Sequence, residues 1–266
     1  MIFSLVFVVV SSFAAMTAVS AQQYRILADR FLSRNPSVYG EGNVDPSTRD
    51  LYDSQRFAMT CLFLATAQRG NQYTDIDQEL LEPWRRSLNW LSPAGECRWF
   101  GVTCDENNFV KSIDLSGNNV GGTFPSEIIS LASTLEYLDI SFNPVSSLTE
   151  GNAWIGEMTA LRHLDMSFTN LDSDGIPPSL GDLTLLTHLD ISSTFLWGGT
   201  DGLNGEVFES LNELEYLDIS QNSYNSAIPP GMYNLPNLKR LYMISSDITG
   251  SLDFINELPN DLIEIW

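Results

Sequence analysis

From Val110 to the end of the chain, apolar and polar residues alternate in short bursts, and the bursts recur. They read IDLS from Ile113, LDIS from Leu138, LDMS from Leu164, LDIS from Leu189 and from Leu217, and LYMI from Leu241. Aligned on the apolar residue three places earlier, the copies begin at Val110, Leu135, Leu161, Leu186, Leu214, Leu238 and Leu262, in steps of 24 to 28 residues. In the copy from Leu161, alternation places Leu161, Leu164 and Met166 inside a short strand and points Arg162, His163, Asp165 and Ser167 outward. Leu171 re-enters the core after a turn. The pattern therefore predicts one strand per copy, stacked in register.

Upstream of Val110 the period changes to a helical one. Tyr24, Ile26, Leu27, Phe31 and Leu32 share a helical face before Asn35-Pro36 ends the run. Ser47 is placed to cap a longer helix reaching about Gln68, with Leu51, Ala58, Cys61, Leu62 and Ala65 on one face. A third helical piece is expected between Asp75 and Leu91, with Pro83 in its first turn and Leu80, Trp84, Leu88 and Leu91 at helical spacing. Met1 to Ala21 carries no charge and ends in small residues, which reads as a secretory signal peptide. A membrane role is expected only through that segment left uncleaved or through an anchor beyond the C-terminus.

A period in the twenties with the spacing L-x-x-L-x-L-x-x-N-x-L is the leucine-rich-repeat signature. Its ninth position is Asn118, Asn143 and Asn222 in three copies, where an amide can tie successive turns. Thr169, Thr194 and Ser246 replace it elsewhere, and looser turns are expected there. A second phrase, GGTFPSEI from Gly121, GIPPSLGDL from Gly175 and SAIPPGMYNL from Ser226, sets an apolar residue before proline and a short helical or 3₁₀ turn after it.

With these two phrases the chain resembles the plant-type extracellular leucine-rich-repeat family of receptor-like proteins, receptor-kinase ectodomains and polygalacturonase-inhibiting proteins. CRWFGVTC, from Cys97 to Cys104, is similar to that family's N-terminal cap motif C-x-W-x-G-V-x-C. The resemblance implies a Cys97–Cys104 disulfide, with Trp99 and Val102 packed on the first strand. Glu96 stands where the family usually has the last cysteine of a second cap disulfide, so Cys61 is expected to be a buried free thiol. The fold class is then α/β: a leucine-rich-repeat horseshoe with a parallel concave sheet and a helical N-terminal cap. The expected divisions are a signal peptide at 1–21, a helical region at 22–95, a disulfide cap at 96–109 and about six repeats plus a truncated seventh at 110–266.

Composition adds one constraint. With 34 acidic and 13 basic side chains, the net charge is −21, which argues against nucleic acid and anionic membrane surfaces. A basic partner or cations would suit it, and so would a merely soluble acidic surface.

The outward positions supply the candidate chemistry. The fifth is Asp114, Asp139, Asp165, Asp190 and Asp218, then Tyr242. Carboxylates about 5 Å apart repel by roughly 0.8 kcal/mol even in bulk water, so they need hydrogen bonds, cations or raised pKa values. In the family, Asp followed by Ser at these positions is part of the repeat consensus, which implies a structural role. The third position is less generic: Tyr137, His163, His188, Tyr216 and Arg240, with Phe142 and Phe168 from the eighth position nearby. An aromatic and imidazole stripe on a rigid wall suits a protein or peptide ligand. Alternatively, the histidines are tolerated at solvated positions and the phenylalanines pack into their turns. No third ligand accompanies His163 and His188 for a metal, and no cofactor motif or phosphate loop appears. Asp172 to Gly175 opens like a calcium loop but lacks its twelfth-position glutamate.

The expectation is a secreted, or plasma-membrane outer-face, recognition module without catalysis, receptor-like in kind. An enzyme inhibitor of the polygalacturonase-inhibitor type and a structural or adhesive wall protein are the alternatives.

Overall fold

The computed structural model describes residues 21–34, 49–67, 84–147, 154–171, 176–196, 203–251, 258–259 and 262–266. The segment 1–20, most of the stretch expected to form the third helix, and Asp172 to Gly175 lie outside the described residues. The N-terminal part holds α1 (Ala21–Arg34) and α2 (Arg49–Thr66). Among the described residues ten strands follow: β1 (Val102–Cys104), β2 (Val110–Asp114), β3 (Gly122–Thr123), β4 (Tyr137–Asp139), β5 (Val145–Ser147), β6 (His163–Asp165), β7 (His188–Asp190), β8 (Tyr216–Asp218), β9 (Arg240–Tyr242) and β10 (Glu264–Ile265). The main sheet runs β1-β2-β4-β6-β7-β8-β9-β10, with β3 and β5 paired beside it.

Only the β1–β2 pair of the main sheet is antiparallel; every later pair is parallel. Register follows the sequence phase without slippage, so Tyr137, His163, His188, Tyr216 and Arg240 are successive partners, as are Asp139, Asp165, Asp190 and Asp218. A one-residue slip would turn each inward leucine to solvent, which is why the register holds. Leu135, Leu138 and Ile140 are at most 1% exposed, and Leu161, Leu164, Leu186, Leu189, Leu214 and Leu217 are fully buried. The parallel sheet and its buried apolar ladder are those of a leucine-rich-repeat solenoid.

The strands are short because the eighth residue of each turn leaves them. Gly117, Phe142, Phe168, Ser193, Gln221 and Ser245 all take φ between 52° and 57°, although only one is glycine. Where the ninth residue is Asn143 or Asn222, it ties its turn to the one before. Asn143 Nδ2 donates to the carbonyls of Leu115, Ile140 and Ser141, while its Oδ1 accepts from Asn118 N–H and Val120 N–H. Asn222 repeats this toward Ile191, Thr194 and Leu196. Thr169 donates within its own turn, to Met166 O at 2.6 Å. The backbone at Phe168 nonetheless keeps the common geometry, so the substitution removes a tie without opening the turn.

Short helical turns close the opposite side: 3₁₀ segments Ser126–Leu131, Pro178–Asp182 and Gly205–Phe208, and the single turns α3 (Trp154–Glu157) and α4 (Pro230–Tyr233). Three follow the prolines, as the apolar-proline phrase predicts. Glycine lets these turns approach: a Cβ on Gly231 would lie 2.2 Å from Gly205 O.

At the N-terminal end α1 packs on α2, and α2 packs on the Ser126–Leu131 turn. Met59, Leu62 and Phe63 of α2 join Trp84, Trp90, Leu91 and Trp99 in the continuous core. Gln55 Oε1 accepts from Val110 N–H at 2.7 Å, linking α2 to β2. The expected helix from Asp75 does not extend through Trp84–Leu91, which forms turns instead, since Asn89 (φ 67°) and Leu91 (φ 58°) are left-handed and cannot continue a helix. Leu88, expected on an apolar face, is 68% exposed.

Cys97 and Cys104 are disulfide-bonded, with Cα atoms 5.4 Å apart. Inside that loop, Gly101 has φ 78°, and a Cβ would lie 2.1 Å from Asp114 O, so the motif's glycine is required sterically. Trp99 and Val102 are buried as expected. Glu96 forms a buried ion pair with Arg56 of α2, whose guanidinium also donates to Ser92 O and Ala94 O and lies 4.9 Å from the Trp99 ring centre. Cys61 is a buried free thiol beside Ala28 and Ala65, its pKa pushed up chiefly by burial.

Candidate recognition surface

The parallel register brings the third-position rings into contact. Tyr137 and His163 stack with centroids 4.2 Å apart, His163 and His188 at 4.0 Å, and His188 and Tyr216 at 4.1 Å, all within 16° of parallel. A strand spacing near 4.8 Å leaves flat side chains in register little alternative to lying face to face. Each contact is worth about 1 kcal/mol. The result is an unbroken column of four stacked rings along the sheet. Because the faces cover one another, the column presents edges outward: two hydroxyls and two imidazole edges.

Arg240 shares the register but does not continue the column. It pairs with Glu264 at 3.5 Å, and the next ring is Tyr242, tilted 43° to Tyr216 with centroids 5.4 Å apart. Tyr242 occupies a fifth position, where all five predecessors are aspartate, and diagonal contact between different positions is not visible in an aligned repeat. Its hydroxyl donates to Glu264 at 2.6 Å.

The aspartate ladder is tied by hydrogen bonds. Asp139 Oδ1 accepts from Ser141 N–H (2.9 Å) and hydroxyl (2.7 Å), and Asp190 from Ser192 in the same way. Asp165 and Asp218 accept from the N–H of Ser167 and Ser220 at 2.8 Å. Burial nonetheless raises the pKa of Asp139 and Asp165 and pushes Asp190 up to about 7; the serine bonds oppose that and neighbouring carboxylates reinforce it. Burial lowers both histidines, His188 to about 4, with the charges of His163 and Arg240 adding. Both imidazoles are therefore neutral near pH 7. Tyr137 is pushed up to about 12, first by burial and then by Asp139, so it stays a hydroxyl donor, 3.5 Å from Asp139 Oδ2.

Phe142 and Phe168 do not pack into their turns. They are 61% and 45% exposed and stack on each other at 4.3 Å. Phe195, from a tenth position, is 68% exposed with φ 61°; its changed place in the repeat hides it from column-by-column reading. At the second position, Glu136 bridges Lys111 (3.3 Å) and Arg162 (3.9 Å), and Glu215 holds Lys239 (2.8 Å). Lys111, Glu136, Arg162, Ser112, Tyr137 and His163 line a shallow hollow at the β2 end of the column. Parallel stacking aims the two imidazole edges side by side and does not converge them on one ion; among the described residues no group of three metal-ligating side chains occurs.

The ladder of leucines, the asparagine ties and the flat outward sheet define a leucine-rich-repeat protein. A leucine-rich-repeat family model matches residues 109–131 and 160–183. Receptor-like protein 41 of Arabidopsis thaliana is 35% identical over 166 residues, which are 62% of this chain and 15% of that protein. Receptor-like protein 39 of Arabidopsis thaliana is 32% identical over 121 residues, covering 46% and 10%. The chain thus spans less than a sixth of the length of either relative. The solved ectodomain of BIR2 from Arabidopsis thaliana shares the fold, with a TM-score of 0.50 and 22% identity over 59% of this chain and 79% of that one. The chain is thus similar, over part of its length, to plant receptor-like proteins and shares the fold of a plant leucine-rich-repeat ectodomain.

Proposed function

We propose that this chain is the recognition part of a receptor-like extracellular protein and binds a protein or peptide across the sheet, along Tyr137, His163, His188 and Tyr216. One observation carries this reading: four rings stand in unbroken contact on an outward sheet face that no described element covers. Phe142 and Phe168 extend the apolar contact area, and Arg240 bounds it beside Tyr216. The similarity to receptor-like proteins supports the same role, on the outer face of the membrane or secreted, without catalysis. Among the described residues no helix is long and apolar enough to cross a membrane. The helices of 22–95 and the disulfide segment 96–109 serve as a cap, because they bury the apolar end that the first repeat would otherwise expose. An inhibitor role is not favoured by these relatives.

A random-peptide phage library selected on the purified chain tests the reading. Selected clones are expected to lose binding when Tyr137, His163, His188 and Tyr216 are all changed to alanine, at unchanged fold by circular dichroism. Clones that bind the variant as well as the parent would overturn it, and binding weakened by salt alone would favour an adhesive acidic surface.

A further inference from the structure

Along each outward strand the third and fifth residues lie on one face about 7 Å apart, and the eighth follows at the strand's end. Three files therefore cross the sheet side by side: the rings from Tyr137 to Tyr216, the carboxylates of Asp139, Asp165, Asp190 and Asp218, and the phenylalanine pair. The seventh-position serines between the last two files are short and buried, Ser141 and Ser167 at 3% exposure. The acids thus form the floor of a furrow with aromatic sides.

The phenylalanines are the stronger sign of a partner. Phe142 and Phe168 hold large apolar surface in water on left-handed backbone that disfavours bulky side chains, two costs accepted at adjacent turns. What sits on them is decided by charge. Cations of the sheet are committed to glutamates: Lys111 and Arg162 to Glu136, Lys239 to Glu215, Arg240 to Glu264. Among the described residues none pairs with the aspartate floor, where Oδ1 takes the serine donors. Resting on the recognition reading above, we infer that the partner is an extended basic peptide segment, its arginine or lysine head groups on the Oδ2 atoms of Asp139, Asp165, Asp190 and Asp218 and its apolar side chains on Phe142 and Phe168. A strand-like peptide running over the serine file turns alternate side chains to its two sides, basic ones toward the aspartates and apolar ones toward the phenylalanines, each about every 7 Å, and flexible basic stems absorb the mismatch with a ladder of about 4.8 Å. The whole chain's charge of −21 steers such a segment inward.

Fluorescence anisotropy of the full chain with three dye-labelled decapeptides, alternating Arg-Leu, Ser-Leu or Glu-Leu, tests this. The Arg-Leu peptide alone is expected to bind. Asp165→Asn with Asp190→Asn, which keeps the Oδ1 acceptors, should weaken it by about tenfold or more. Phe142→Gly with Phe168→Gly should weaken it too, while Glu206→Gln with Glu209→Gln, the same charge change on the opposite side, leaves it unaltered. Equal binding of all three peptides, no binding of Arg-Leu at millimolar concentration, or equal loss in the Glu206/Glu209 variant would overturn the inference. If the phenylalanine variant loses binding and the aspartate variant does not, the basic assignment falls and the recognition face stands. If phage-selected peptides also ignore the ring column, both fall.

Discussion

His163 and His188 lie face to face on adjacent strands, ring centres 4.0 Å apart and planes within 16°. Burial holds His188 at about 4 against an ordinary 6.5, so the unfolded chain binds its proton more tightly. The sign follows: stability from this group is full above about 6.5 and is lost as pH falls toward 4. Asp190 runs the other way. Its pKa is raised from 3.8 to about 7, chiefly by burial, so its contribution is full below 3.8 and is lost as pH rises toward 7. In the native protein the two slopes oppose. His188→Phe keeps a stacked ring and removes one of them, so its Tm relative to the parent should climb as pH is lowered from about 7 to about 5. Asp190→Asn should gain over the parent in the opposite direction. Differential scanning fluorimetry across that range reads both, and two flat differences would mean that neither group titrates as described.

Phe142→Gly should leave stability within about 1 kcal/mol of the parent. Glycine relieves a left-handed cost of about 1 kcal/mol, and the lost stacking on Phe168 costs about the same. An interior phenylalanine behaves otherwise: Phe124 is fully buried, and Phe124→Ala should cost about 4 kcal/mol. Urea melts of both variants check the contrast. A large loss at Phe142 would make it a structural residue and not a surface offered to a partner.

The repeat was legible because its physics is periodic. Inward leucines recur at fixed intervals, and a sheet with one buried face tolerates no slip, so the partners of His163 and Asp165 followed from alignment alone. What alignment conceals is contact across different positions. Tyr242 replaces an aspartate, yet reaches Tyr216 diagonally. Phe195 sits two places later in its turn than Phe142 does, yet both are exposed and left-handed. In the non-repeating region periodicity over-reached: Trp84, Leu88 and Leu91 are at helical spacing, but left-handed Asn89 and Leu91 fold them into turns. Helical spacing over so few residues does not compete with aromatic packing among Trp84, Trp90 and Trp99, which holds that segment on the core.

The buried pair of Arg56 and Glu96 links α2 to the disulfide segment at a point where the family usually has a cysteine. Both residues are nearly inaccessible, at 4% and 6%. Glu96→Ala leaves a buried guanidinium without its counter-charge and should cost about 3–5 kcal/mol. Arg56→Met combined with Glu96→Leu should cost much less than the two single changes together, because no orphaned charge remains. A double-mutant cycle by chemical denaturation measures the coupling, and additive losses would show that each residue acts through other contacts, such as Arg56 on Trp99.

Asn143 and Thr169 occupy the same ninth position one turn apart, with unequal reach. Asn143 donates to three carbonyls and accepts from two N–H groups of the preceding turn, whereas Thr169 bonds Met166 O of its own turn. Asn143→Thr should keep the local bond and strand Asn118 N–H, Val120 N–H and Leu115 O, for a loss of about 2–4 kcal/mol. Thr169→Asn should gain about 1 kcal/mol by restoring a tie between its turn and the one holding Asn143. Urea midpoints give the two signs directly. Because each turn of a solenoid contacts only its neighbours, amide exchange should localise the first loss to the strands around β2 and β4 and the second gain to β4 and β6. Changes spread evenly over the chain would mean that these side chains act on the whole fold and not as ties between neighbouring turns.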